Sequence, residues 1–257
     1  MSSYIGRHAK LYDLFYADKP YEKETAFVHS CLQRYSNGHA KRLLELACGT
    51  GTHALAFEKC GYTVIATDYS RDMLDRARIK AKQVASPVDF RWQDMRTLDM
   101  PDYPFDAVLC LFDSIGYVVT NEALLQVLQG VRRCLRPEGL FIFEFWHASA
   151  MLKGYDPLRV RRWIVPNGEV VRISETVLDR DKKLASVTYS IYELNNDGTF
   201  SSLKETQINR FFMVGEMADW LSASGFSPVK WFSGFSDDEH ITEATWHVVA
   251  IARSCRK

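Results

Sequence analysis

The stretch Leu43-Leu44-Glu45-Leu46-Ala47-Cys48-Gly49-Thr50-Gly51-Thr52-His53 constrains this chain more than any other. A short apolar run ending in small residues reads as a buried parallel strand. Gly49 and Gly51 then allow a tight backbone turn where a side chain would collide with a ligand. From Thr52 the residues are helix formers (Ala54, Leu55, Ala56, Phe57, Glu58, Lys59), so the turn opens a helix. Strand, glycine turn and helix N-terminus together make a nucleotide-type ligand site. The dehydrogenase fingerprint needs a third glycine three residues after the second, where this chain has Ala54. A glycine turn also occurs in other α/β proteins, so its meaning depends on the rest of the chain.

Beyond the turn, strand and helix alternate. The first strand is expected over about 42–47 and its helix over 52–60, ended by Gly61. A second strand, Tyr62 to Thr67, closes on Asp68, roughly 20 residues beyond the glycine turn, where a carboxylate meets ribose hydroxyls. Ser70 caps the next helix, through Met73, Leu74, Ala77 and Ile79. A third strand, Val88 to Trp92, leads into Gln93-Asp94-Met95. An acid there accepts a hydrogen bond from an adenine amino group while Met95 packs on the ring. Strand four, Phe105 to Leu111, leads into Phe112-Asp113-Ser114-Ile115-Gly116-Tyr117. In an open parallel sheet, residues beyond the strands' carboxyl ends face the ligand crevice. Asn121 begins an amphipathic helix closed by the turn Arg136-Pro137-Glu138-Gly139, and strand five, Leu140 to Phe145, ends at Trp146-His147.

The alternation then stops. From about 158 to 212, β-rich stretches (170–177, 185–194, 205–212) are separated by turn signals such as Pro166-Asn167-Gly168 and Asn196-Asp197-Gly198. This predicts an antiparallel meander inserted into a parallel fold, as a cover over the substrate, a homodimer surface or a structural elaboration. A helix from Glu216 to Ser224, a strand at 229–232 and a final strand at 245–252 resume the α/β pattern. Ahead of it all, Leu11-Tyr12-Asp13-Leu14-Phe15-Tyr16 and Tyr21 to Tyr35 read as two helices broken at Lys19-Pro20. They form either an N-terminal lid over residues 1–40 or plain core packing. The expected organisation is one domain, 1–257, carrying the lid and the 158–212 insertion.

Composition narrows the partners. The 257 residues carry 32 basic and 32 acidic side chains, so bulk charge gives no reason to expect a nucleic acid. The densest basic cluster, Arg159-Val160-Arg161-Arg162, is short and reads as a solvated face. The six cysteines form no CxxC pair, which argues for a reduced, cytoplasmic protein with neither a disulfide scaffold nor a metal site. The N-terminus lacks a signal-peptide core, and no apolar run is long enough to span a bilayer.

Glu45-Leu46-Ala47-Cys48-Gly49-Thr50-Gly51-Thr52-His53 resembles the first motif of the class I S-adenosylmethionine (SAM)-dependent methyltransferases. Arg136-Pro137-Glu138-Gly139 before a buried strand is also frequent there. Together with 12–16, Asp94-Met95-Arg96, Ser114-Ile115-Gly116-Tyr117 and the meander, the motifs look like the N-methyltransferases acting on nucleotide-linked amino sugars. The resemblance implies a Rossmann-like α/β sheet with helices on both faces. It implies SAM as cofactor, S-adenosylhomocysteine as product and a small-molecule acceptor. It puts Tyr16, Tyr21 and Glu45 near the methionine end, Ala47, Gly49 and Gly51 against the cofactor, and Asp68 with Tyr69 at the ribose. Asp94 and Met95 then take the adenine, and Leu111 and Phe112 complete the cofactor site. Tyr117 reaches the acceptor pocket, where relatives can carry His. The family often has a Pro after the acid of strand five, whereas this chain has Glu144-Phe145-Trp146.

A sulfonium methyl is already activated, so such an enzyme mainly aligns the nucleophile and excludes water. Tyr16, Tyr117 and His147 are the orienting or proton-accepting candidates, with His147 read first as an ordinary histidine. An oxygen or carboxylate acceptor, a SAM binder without catalysis and a nicotinamide dehydrogenase are the competing readings.

Overall fold

β1 (Arg42–Leu46) is an interior strand of the larger sheet, and its four residues from Leu43 to Leu46 are buried. In the computed structural model, which describes residues 4–102 and 104–255, β2 (Thr63–Asp68) and β4 (Phe105–Cys110) flank it in parallel. Leu44 is level with Ile65 on one side and with Val108 on the other. Residues 1–3 of the expected lid, Tyr103 in the 101–104 loop and the last two residues lie outside the described residues.

Before β1 come α1 (Gly6–Phe15) and α2 (Tyr21–Tyr35), and after it α3 (Thr52–Lys59), α4 (Arg71–Gln83) and α5 (Asn121–Cys134). β3 (Asp89–Trp92) extends the sheet beyond β2, and β5 (Leu135–Trp146) lies beside β4. The chain then runs through α6 (Ala148–Gly154) into the meander β6 (Leu158–Val165), β7 (Gly168–Asp179), β8 (Leu184–Asn195) and β9 (Phe200–Arg210). α7 (Val214–Ala223), β10 (Phe226–Ser233) and β11 (His247–Ser254) complete it. The seven-stranded order is β10-β11-β5-β4-β1-β2-β3, with β11 antiparallel to both neighbours; the four-stranded order is β6-β7-β8-β9. The expected doubly covered α/β sheet with an inserted antiparallel meander is what forms.

Helices cover both faces. Leu124, Val127, Leu128 and Val131 of α5 are fully buried against Leu44, Val108 and Phe141; each such side chain contributes roughly 1.5–3 kcal/mol. On the other face Ala54 and Phe57 of α3 and Leu74 and Ala77 of α4 pack on Leu43, Val64 and Ile142. Ser70 caps α4 by accepting from Met73 N at 3.3 Å. Among the described residues, no helix is long and apolar enough to cross a membrane.

Two expectations change. Arg136-Pro137-Glu138-Gly139 is not a turn ahead of the strand, because β5 already starts at Leu135. These residues form a bulge between the pairings Phe105–Leu135 and Ala107–Leu140, with Glu138 at φ +64°. Pro137 supplies no ladder donor, so the strand departs from its partner there and rejoins it. The lid also narrows. Val28, Cys31 and Leu32 of α2 are buried with α3 and belong to the helical layer. α1 alone crosses to the second sheet, where Phe15 packs on Val170 and Ile191.

Gly51 shows what the glycine turn demands. It sits at φ +76°, and a Cβ there would stand 2.6 Å from the Phe90 ring and 3.1 Å from Ala77. Gly51→Ala should therefore cost roughly 2–4 kcal/mol from left-handed strain plus overpacking. Gly61, also left-handed but with nothing within 4 Å of its would-be Cβ, should cost about 1 kcal/mol as Ala. Urea unfolding of the two variants checks the order; equal losses would remove the Phe90 contact as the cause.

Candidate functional site

The carboxyl ends of β1, β2, β4 and β5 open into one cavity of about 930 Å³, roofed by α1 and the inner face of the meander. Its floor is the glycine turn. Ala47, Gly49 and Gly51 all adopt left-handed φ values of +50°, +56° and +76°. This curls the backbone so that Cys48 N donates to Thr67 O at 2.9 Å and Gly49 N donates to the Asp68 carboxylate at 2.8 Å. The other Asp68 oxygen accepts from Ser70 N at 2.7 Å. Burial pushes the Asp68 carboxyl up to about 6, against the pull of these backbone N–H groups.

Beneath the turn a small chamber is lined by Tyr12, Tyr21, Glu45, Ala47, Leu111 and Phe112, among others. Glu45 is 2 % exposed, and its Oε2 has no hydrogen-bond partner among the described residues. Burial first, and Asp68 second, push its carboxyl up to about 8. A buried carboxylate with a free oxygen suits an ammonium ligand, which would both satisfy and ionise it. Tyr21 stacks edge-on to His53 with ring centroids 4.9 Å apart. His53 Nε2 lies 2.9 Å from Glu24, which also pairs with Lys19. Tyr16 stands on the cavity wall edge-on to Phe112 at 5.0 Å.

α1 is latched over this floor. Thr50 Oγ1 donates to Asp13 at 2.6 Å, and Lys80 Nζ reaches Asp13, Thr50 and Thr52 at 2.8–3.0 Å. At the other end of the cavity are Tyr69, Gln93, Asp94, Met95 and Arg96. Burial raises the Asp94 carboxyl, but the Arg96 fork, bonded at 2.9 and 3.0 Å, outweighs it and holds the group below its usual range.

Tyr117 lies under the meander. Its hydroxyl is 2.7 Å from that of Tyr4 and donates to Gln207 Oε1 at 3.1 Å; Gln207 in turn donates to Glu205. Burial raises the Tyr117 phenol well above its ordinary value. It therefore stays protonated at neutral pH and keeps its O–H as a donor.

Of the residues singled out from sequence, the cavity and its chamber bring together Tyr16, Tyr21, Glu45, Ala47, Gly49, Asp68, Tyr69, Asp94, Met95, Leu111, Phe112 and Tyr117. Gly51 is not on the wall; Phe90 and Ala77 account for its missing side chain. His147 is not there either: it is buried, with Nδ1 3.1 Å from Thr245 O.

Sequence reasoning missed a cluster on the wall. His247 Nδ1 lies 3.1 Å from Asp113 and 2.9 Å from Glu144, and both carboxylates are nearly fully buried. Burial opposes charge on the imidazole, yet Asp113 and Glu144 hold it protonated up to about 11. Glu144 Oε2 also accepts Phe112 N at 2.8 Å, fixing two successive left-handed residues, Phe112 and Asp113, at φ +56° and +55°. Such strain persists only where surrounding bonds over-determine it. The three groups place ligand-type atoms within 4.8 Å of one another, a spacing that a metal ion could also bridge. The rule that strand ends face the crevice could have drawn attention to Asp113 and Glu144; nothing local points to His247.

Residues 43–139 match the family described as a methyltransferase domain. A dTDP-3-amino-3,4,6-trideoxy-alpha-D-glucopyranose N,N-dimethyltransferase of Streptomyces venezuelae is 34% identical over 73% of this chain and 71% of its own. YqeM of Bacillus subtilis (strain 168), provisionally named a methyltransferase with no acceptor specified, is 28% identical over 90% of each chain. A SAM-dependent methyltransferase structure from Clostridium acetobutylicum ATCC 824 superposes with a TM-score of 0.84 at 20% identity, covering 97% of this chain and 98% of that one. The chain belongs to the SAM-dependent methyltransferases. SAM brings a methyl group on a sulfonium, which leaves as a neutral thioether.

The Glu45 carboxyl keeps its proton up to about pH 8, and an ammonium ligand needs the carboxylate. Binding of S-adenosylhomocysteine should therefore expel a proton and tighten as pH rises from 6 to 7.5, approaching about tenfold per unit. Calorimetry in two buffers of different ionisation enthalpy checks this. Glu45→Gln should bind more weakly and lose the slope; a slope that survives would remove Glu45 as its source.

Proposed function

We propose that this enzyme transfers a methyl group from SAM to the nitrogen of a small-molecule amine, with an amino sugar on a nucleotide carrier as the leading acceptor. The observation that carries the amine is the Asp113–Glu144–His247 cluster. Two buried carboxylates face one imidazolium, so acidic groups outnumber basic ones at the carboxyl ends of β4 and β5, beside the cavity; burial and Asp113 raise the Glu144 carboxyl, and His247 pulls it back down. An amine that is cationic before or after methylation is favoured there, and a carboxylate acceptor is repelled. The sugar is supported by the Streptomyces venezuelae relative. It is also supported by a cavity of about 930 Å³, near the top of the usual range of about 300–1,000 Å³ for ligand sites.

In this reading Glu45, Tyr16 and Tyr21 hold the methionine end, and Ala47, Gly49, Leu111 and Phe112 surround it. Asp68 and Tyr69 hold the ribose, and Asp94 with Met95 the adenine. Tyr117, held by Tyr4 and Gln207, orients the acceptor. A cationic amine first gives a proton to water; the nitrogen lone pair then attacks the methyl carbon while the carbon–sulfur bonding pair returns to sulfur, and the surplus N–H proton of the product leaves to water. Little else is required of the protein than alignment and exclusion of water. We also propose that the enzyme works in the cytoplasm without a metal or nucleic-acid partner. The outer face of the meander, where Val160, Ile164 and Val177 are more than 60% exposed, is the proposed homodimer surface.

A mass-spectrometric assay with SAM and a panel of nucleotide-linked amino sugars, simple amines and carboxylates tests this. A gain of one or more methyls on an amine, unaffected by a chelator, is expected. Product only from a carboxylate would overturn the reading. Tyr117→Phe should lower kcat/KM for the acceptor by roughly two- to tenfold, the worth of a neutral hydrogen bond, and leave S-adenosylhomocysteine affinity unchanged. Loss of cofactor affinity alone would move Tyr117 to the cofactor site.

A further inference from the structure

The inner face of the meander carries a charge arrangement that the transfer chemistry does not use. Arg172 on β7 is 8% exposed and lines the cavity, and its Nε and Nη1 have no hydrogen-bond partner among the described residues. Its guanidinium sits among the rings of Phe15, Tyr16, Trp163 and Tyr189 at 4.7–5.5 Å. The rings account for its position but leave its donors unsatisfied, which is costly in a buried site.

Directly opposite in the β-ladder is Arg161 on β6, and two residues along is Arg159, level with Ser174. Both also line the cavity, at its open side. Like charges directly opposite across a ladder destabilise it. None of the three forms an ion pair among the described residues. Among the described residues Arg159 donates only to the Tyr155 hydroxyl. Of the nearby acids, Asp156, also on the cavity wall, gives one oxygen to Leu158 N at 3.1 Å and forms no ion pair with the three among the described residues, and Glu205 takes His8, Gln207 and Tyr4 N. By contrast Arg162, on the other face of β6, is paired with Glu169.

From the unpartnered donors of buried Arg172 and the facing Arg161 and Arg159, we infer that this face binds a phosphoryl group of the acceptor, a diphosphate by its charge. Guanidinium forks match phosphate oxygens in bidentate fashion, and three cations without an ion pair among the described residues, against the one wall carboxylate of Asp156, suit a multiply charged anion better than a single carboxylate. The inference deepens the proposed function and rests on it. The amine end then lies toward Asp113 and the phosphoryl end toward the arginines.

The test is calorimetric binding of inorganic pyrophosphate to protein first saturated with S-adenosylhomocysteine, with glutarate as the carboxylate control. Pyrophosphate should bind, and Arg161→Ala and Arg159→Ala, both at exposed positions, should each weaken it on the order of tenfold. Arg162→Ala should leave it unchanged, and raised salt should weaken it. Arg172→Lys, which keeps the charge but loses the fork, should weaken it as well. Absence of pyrophosphate binding, or binding indifferent to Arg161 and Arg159, would overturn the inference while leaving amine methylation standing. Glutarate binding as tightly, with the same dependence, would overturn the phosphoryl assignment. So would variants that lose S-adenosylhomocysteine affinity but keep pyrophosphate affinity, because the arginines would then serve the cofactor's own carboxylate. The proposed function fails separately, by yielding no methylated amine in the acceptor panel.

Discussion

The carboxylate of Asp68 is the joint on which the site depends. One oxygen takes the N–H of Gly49 from the turn after β1, and the other takes Ser70 N at the start of α4. Two strand ends and two helix starts are thereby fixed to one half-buried group. The turn can keep this geometry only with left-handed backbone at 47, 49 and 51. The glycines serve different ends. Gly49 leaves room beneath Tyr12, 3.9 Å from its would-be Cβ, whereas Gly51 admits the Phe90 ring. A motif that sequence reading treats as one ligand-facing unit is thus half cradle and half packing.

α1 depends on the same turn. Asp13, Lys80, Thr50 and Thr52 form a polar knot that holds the helix across the cleft. Phe15 then docks against the meander. Burial lowers the affinity of Lys80 for its proton, and Asp13 raises it again. The roof of the cavity is therefore built from three distant parts of the chain. Tyr4, Tyr117, Gln207 and Glu205 join them through one chain of hydrogen bonds.

The legible features were those encoded locally. The succession of strands and helices around β1 followed from apolar runs and the glycine turn, and the meander followed from period-two alternation broken by Asn-Gly and Asp-Gly signals. Asp68 and Asp94 were legible because strand ends in a parallel sheet face the crevice. The bulge in β5 was not, since Arg-Pro-Glu-Gly carries the same residues whether it turns the chain or only displaces it. Nor was the role of α2, whose apolar spacing suits a lid and a buried layer equally. The Asp113–His247 contact joins residues 134 apart in sequence, and no periodicity marks such a pair. Arg159-Val160-Arg161-Arg162 has the composition of a solvated run. Only strand alternation, with Trp163 packed on Phe15, separates the two arginines that face the cavity from the one that does not.

The cavity is electrically two-ended, and this bears on how methyl transfer is aligned. Around Asp113 and Glu144 acidic groups outnumber basic ones, while Arg159, Arg161 and Arg172 supply cations at the other end. An acceptor with a cationic nitrogen at one end and an anionic group at the other has one favourable orientation. Reversing it would set like charges together in a partly desolvated space, where the penalty is several kcal/mol. Orientation of this kind matters most for a reaction that needs in-line approach rather than a strong base. Binding energy gathered far from the reacting atoms would then be used to place the nitrogen. The Glu144–Phe112 bond and the strained pair at 112–113 keep the near end of that axis rigid.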